Sequence, residues 1–195
     1  MIATNGLETL KIGDILRESQ VSNGTFYARF GGRDGLIREV QDRLLARVEA
    51  RVMADCAALA DPAVPLDKAV AVLVGSLLGV FRDNAGLLCG FMRRGAVDPV
   101  LQERAGRTRG RVQRLFTDAL TPRMPLGAHP DAGRVIAMAY GVLSSVLIER
   151  VSADESVPVE QRLPWEVLSE ELDRLLLAYL TGPHTTAKQN SSSYS

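Results

Sequence analysis

Between Val21 and Arg33 the chain reads VSNGTFYARFGGR, and Ser22, Asn23, Thr25, Tyr27, Arg29 and Arg33 supply hydroxyl, amide, phenol and guanidinium groups in one short run. No His, Cys, Asp or Glu stands among them, so their chemistry is hydrogen bonding to a polar or anionic surface, not nucleophilic attack or metal ligation. Ser22 is a good N-cap, and Asn23, Thr25 and Arg29 then fall on the outer side of a short helix while Phe26 and Phe30 pack inward. Small hydrogen-bonding groups at a helix N-terminus let the backbone come close to a partner, as the DNA major groove and its phosphates require. From Ser19 to Arg33 there are two arginines and no acid, a locally basic surface in a chain whose 23 Lys+Arg balance 23 Asp+Glu.

Such groups need a scaffold. Leu10 to Glu18 carries Ile12, Ile15 and Leu16 on one side, and Ser19-Gln20-Val21 makes a tight break before Ser22, the layout of a helix-turn-helix. From Asp34 to Ala58, Leu36, Ile37, Val40, Leu44, Val48 and Val52 recur at helical steps, until Asp61-Pro62 and Pro65 end the pattern. Leu66 to Phe81 is apolar almost all round, and Asn84 to Arg94, with Gly86 and Gly90, predicts only a loose helix. A long helix begins at Asp98-Pro99, its polar face carrying Arg104, Arg107, Arg109, Arg111 and Arg114, which read as solvent-facing. Thr121 to Asp131 is a proline-rich loop, and Ala132 to Arg150 is apolar on more than one face. Pro164 opens a last helix through Trp165, Leu168, Leu172, Leu175, Leu176 and Tyr179, which Gly182-Pro183 ends, and a Ser/Thr-rich tail follows. No segment alternates with period two, so the expected class is all-α.

Cys56 and Cys89 show no CxxC spacing, and His129 and His184 lie in a loop and in the tail, which suggests neither a disulfide framework nor a metal site. The opening MIATNG is no signal peptide, and Ala69 to Phe81 falls well short of the ~20 apolar residues needed to cross a bilayer. A cytoplasmic location is expected, without cofactor, and no catalytic constellation points to an enzyme.

The run VSNGTFYARFGGRDGL resembles the signature of the TetR family of bacterial transcriptional regulators, with matches at Val21, Ser22, Gly24, Thr25, Tyr27, Phe30, Arg33, Asp34, Leu36 and the earlier Ile15. The resemblance covers roughly residues 6–40; beyond it only the layout is shared, a long connecting helix and an all-helical regulatory part. It implies that Ser22 to Arg29 enters the major groove, with Ser22, Asn23, Thr25 and Tyr27 at bases or phosphates and Lys11, Arg29 and Arg33 on the backbone. Three departures stand out. Gln20 occupies a place where a turn glycine is common, Asn23 one where Lys or Arg is common, and only MIATN precedes Gly6 where family members have a full helix. That helix closes the core of the DNA-binding domain, so Ile12, Ile15, Phe26 and Phe30 are expected to lose part of their cover.

These readings divide the chain into a DNA-binding domain (1–50), a helical ligand-binding and dimerisation domain (51–183) and a disordered tail (184–195). Phe81, Phe91, Met92, Phe116, Met138 and Tyr140 are candidates to line an effector cavity. The apolar helices at 132–150 and 164–180 carry more apolar surface than one domain edge can cover, which suggests a homodimer. The expected function is a ligand-responsive regulator, read as a repressor, that binds a palindromic double-stranded DNA operator as a homodimer. The alternative is a dimeric all-α ligand- or protein-binding module that has lost DNA binding.

Overall fold

The apolar stripes fold as helices whose ends fall where the capping residues stand. The structure, a computed structural model, describes residues 7, 11–125, 131–152 and 162–182. The described helices are α1 (Ile12–Ser19), α2 (Asn23–Phe30), α3 (Arg33–Ala58), α4 (Leu66–Asp83), α5 (Ala85–Gly95), α6 (Pro99–Leu120), α7 (Ala132–Ser152) and α8 (Trp165–Thr181), with a short 3₁₀ turn at Thr121–Arg123. Among the described residues there is no strand. The expectations for residues 184–195 and for the stretch before Gly6 lie outside the described residues.

Asp98 caps α6, its Oδ1 accepting from the Val100 and Leu101 amides at 3.0 and 3.3 Å, with Pro99 as the first helical residue. The segment from Asn84 forms a continuous helix, α5, not the loose piece that its glycines predict. It turns off α4 through 81°, and Asn84 closes the corner by donating its side-chain amide to the Val80 carbonyl at 2.9 Å. Packing explains the difference: Phe91 and Gly90 are buried, and helix formation follows the tertiary contacts of that face more than its propensity.

The core is one cluster in which Leu73, Leu77, Leu101, Val112, Ile136, Leu143, Leu147, Leu172 and Leu180 are buried. By length and composition α7 could cross a membrane. In this fold it lies against α5, α6 and α8, and sends Ile136, Leu143 and Leu147 into the core.

The helix α6 runs beside α3 in the same direction, because successive positions of one meet successive positions of the other. Gln41 Nε2 donates to the Leu101 carbonyl at 2.9 Å, Arg104 pairs with Asp42 at 2.6 Å and Arg111 with Glu49 at 2.6 Å. Farther along, the Cys56 thiol donates weakly to the Leu115 carbonyl at 3.8 Å. Burial pushes that thiol up to about 11, so it is a packed group and not a reactive one. Arg104 and Arg111 therefore do not simply face solvent, as the helix pattern suggests. A helical period says which face a residue occupies, not which neighbouring helix covers that face. Arg109 donates to the Ser144 hydroxyl of α7 at 3.1 Å, and Arg107 pairs within its own helix with Glu103 at 3.3 Å.

Arg123, just past α6, fastens the same pair at its far end. Its guanidinium donates to the carbonyls of Leu59, Asp61 and Val64 in the α3–α4 connection, and to Ala119. Those carbonyls have no helix to satisfy them, and a charged donor meeting several at once is a strong arrangement. Arg123→Met keeps the apolar stem and removes every donor; it should cost about 2–3 kcal/mol. A thermal melt checks this, and an unchanged midpoint would show that water replaces the guanidinium without loss.

Candidate nucleic-acid interface

Helix α2 is short and begins abruptly, which Ser22 makes possible. Its Oγ accepts the Thr25 amide at 3.2 Å and lies 2.9 Å from the Thr25 hydroxyl, so the first turn is held by side-chain oxygens that still have room to accept. Phe26 is 2% exposed, packed edge-on to Tyr27 and tilted against Phe30 at centroid separations of 5.5 and 5.2 Å. Phe26 is the one buried residue of the helix, and Ser22, Asn23, Thr25, Tyr27 and Arg29 are all exposed around it. Arg29 stacks its guanidinium over the Phe30 ring at 5.3 Å.

Two corners set how α2 is presented. At the first, Gln20 adopts the left-handed conformation, φ 55°, which a side chain tolerates poorly. At the second, Gly31 at φ 66° closes α2, its N–H donating to the Tyr27 carbonyl at 2.9 Å. Gly35, in the first turn of α3, is pressed against the Phe30 carbonyl, where any Cβ would collide with that backbone oxygen. Sequence reading passed over Gly35, although a glycine in the first turn of a long amphipathic helix is itself a signal of close backbone approach.

The predicted contact residues fall into two groups. Ser22, Asn23, Thr25, Tyr27 and Arg29 share the outer surface of α2, and Lys11 is exposed at the start of α1. Arg33 is half-buried and donates to the Leu7 carbonyl at 2.9 Å, so part of its guanidinium is engaged inside the protein. Leu7 is 1% exposed and lies over Gly90 of α5, where an added Cβ would come within 3.1 Å of its side chain. Phe26 is fully buried, against the expectation that it would lose cover, while Ile12, Ile15, Leu16 and Phe30 are half-buried. Asp34 of α3 reaches Arg94 of α5 at 2.6 Å, a second tie between the end of α2 and the body of the protein.

The predicted effector-cavity residues do not form one site. Phe116 and Tyr140 meet edge-on at 5.1 Å and line a small apolar cavity of about 10 Å³. Burial pushes the Tyr140 phenol up to about 12, and its hydroxyl lies 3.4 Å from the Arg109 carbonyl. Phe91 and Met92 line a separate cleft of about 400 Å³ beside α3. Met138 is 57% exposed on α7 and, like Phe81, lines neither. Among the described residues no cluster of His, Cys, Asp or Glu could hold a metal ion.

The family model described as bacterial regulatory proteins, tetR family, matches residues 1–40. This segment contains α1, α2, both corners and the start of α3. It is a TetR-family segment. The fold agrees over nearly the whole chain. A tetR-family regulatory protein from Rhodococcus RHA1 superposes with a TM-score of 0.66 at 14% identity, covering 92% of this chain and 90% of the other. The TetR-family transcriptional regulator PfmR from Thermus thermophilus gives a TM-score of 0.63 at 16% identity, covering 90% and 92%. At these identities the likeness is one of fold. No curated protein matches the chain. The helix-turn-helix of the matched segment is α1–turn–α2.

The two corners give opposite expectations. Gly35→Ala should destabilise the protein by about 2 kcal/mol or more, because backbone must move. Gln20→Gly relieves the left-handed strain and should stabilise by about 1 kcal/mol. Paired thermal melts test both; a Gly35→Ala variant as stable as the parent would mean that the corner yields freely.

Proposed function

We propose that the chain is a homodimeric, ligand-responsive repressor that reads a palindromic operator with α2. The observation that carries this reading is the surface of α2, where exposed amide, hydroxyl, phenol and guanidinium groups stand on a helix anchored by a buried Phe26, with no acid from Ser19 to Arg33. In this reading Ser22, Asn23, Thr25 and Tyr27 meet base edges or phosphates, and Lys11, Arg29 and Arg33 hold the DNA backbone. The DNA-binding domain comprises residues 1–50 and the ligand-binding and dimerisation domain 51–183, so that the boundary falls inside α3 and the helix transmits motion between them.

Dimerisation through residues 132–150 and 164–180 is supported by apolar side chains that α7 and α8 leave outside the core: Met138 at 57%, Leu175 at 51% and Val167 at 38% exposure. A two-fold pair of such faces sets two α2 helices about one DNA turn apart. An effector seated among the helices of the larger domain changes that separation. Because α3 is fastened to α6 along its length, the two helices shift as one body, and ligand and operator compete through their preference for different separations.

Fluorescence anisotropy with DNA flanking the chain's own gene, at two salt concentrations, tests the proposal. Affinity should be sequence-selective and fall steeply with salt, and Arg29→Ala should reduce the log–log salt slope by about 1. Asn23→Ala should cost about 1–3 kcal/mol of sequence discrimination while leaving non-specific binding in place. Binding that is absent, or flat with salt, would favour the dimeric binding module without DNA recognition.

A further inference from the structure

The cleft of about 400 Å³ lies between the first half of α3, α5, the start of α6 and Ile148 of α7. That volume suits a small organic molecule. Its wall is mainly apolar, with Leu44, Leu88, Phe91, Met92 and Leu101 contributing, and no ionisable side chain lines it. Arg94 of α5 and Arg104 of α6, which flank the cleft in sequence, pair with Asp34 and Asp42, both at 2.6 Å.

Two glutamines also line it, the exposed Gln102 and the buried Gln41, and Gln41 stands apart. Gln41 is 2% exposed, and its Nε2 is committed to the Leu101 carbonyl at 2.9 Å. That bond fixes the amide orientation, since a carbonyl can only accept. Oε1 is then left buried without a partner among the described residues. A buried acceptor with no donor is an uncommon arrangement in a folded protein and calls for an occupant that supplies one. The small cavity behind Phe116 and Tyr140 offers no comparable place, having room for a single water at most.

We propose that this cleft holds a neutral, largely apolar ligand whose hydroxyl or N–H donates to Gln41 Oε1. The proposal deepens the regulator reading by naming the chemistry of its effector, and rests on that reading for its biological meaning. Neutrality follows from the absence of any charge in the wall, and the donor from the orientation of the amide. Because Gln41 also ties α3 to α6, a ligand hydrogen-bonded there acts at the joint through which α2 is carried.

The test is equilibrium dialysis of the full chain against three compounds of one shape: 2-naphthol, which donates; 2-methoxynaphthalene, which only accepts; and 2-naphthoate, which is anionic. Naphthol should bind about tenfold more tightly than its methyl ether, as expected for one hydrogen bond to an otherwise unsatisfied buried group, and naphthoate should bind least. Gln41→Met should abolish the preference for naphthol over the ether, and Leu88→Trp, which fills the cleft, should abolish binding of both with the fold intact by circular dichroism. Equal binding of naphthol and ether, a preference that survives Gln41→Met, strongest binding of naphthoate, or no binding of any of the three would each overturn the proposal. Operator binding measured on the same samples separates the two ideas. Selective DNA binding without naphthol preference sinks the ligand chemistry alone, and naphthol preference without DNA binding sinks the regulator reading alone.

Discussion

The pairing of α3 with α6 is the constraint on which the rest of the molecule depends. Gln41 with Leu101, Asp42 with Arg104 and Glu49 with Arg111 hold two long helices side by side in one direction, and Arg123 gathers the carbonyls where α3 gives way to α4. Single ion pairs at this level of exposure contribute little each. Their importance is geometric, since every one of them fixes the same register. Apolar burial of Leu44, Val48, Val52, Leu101 and Val112 supplies the cohesion that the polar links orient.

On that frame a head of two short helices, α1 and α2, hangs from one end. Helix α2 sits between a left-handed residue at Gln20 and the Gly31–Gly35 corner, where the Phe30 carbonyl touches the α3 backbone. No side chain cushions this contact, so a change in the direction of α3 passes into α2 with little lost in bending. Leu7 under Arg33, and Asp34 on Arg94, add two struts from the head to α5. The body thus meets the head through three kinds of contact: backbone on backbone, an apolar side chain over a glycine, and a salt bridge.

Local signals were legible in the sequence to a fair depth. Ser22 as a cap, the break at Ser19 to Val21, the start of α6 at Asp98-Pro99 and the stop at Gly182 depend on neighbours a few residues away, and all fall where capping and turn chemistry place them. The outward set on α2 was equally readable, because Phe26 fixes its phase. Pairings between distant helices were not. The arginines of α6 look like an ordinary wet face until α3 is laid beside them. Gln41 carried the clearest overlooked signal: it interrupts an apolar stripe, four residues after Ile37 and three before Leu44, at a position where a polar side chain must have an unusual reason to be. The candidate effector residues scattered because apolar aromatics mark core, and only packing decides which part of a core is left hollow.

The spacing of the α3–α6 links has a consequence for how the protein folds. Gln41–Leu101, Asp42–Arg104, Glu49–Arg111 and Cys56–Leu115 span 60, 62, 62 and 59 residues. All four therefore close what is nearly the same loop, the one containing α4 and α5. Whichever link forms first meets the whole chain-entropy cost of that closure, and the others follow with almost no further loss. Docking of the two helices is accordingly cooperative and slow to begin, because it waits on contacts distant in sequence. A slip of one helical turn would break the set together, leaving the chain a single register in which to come to rest.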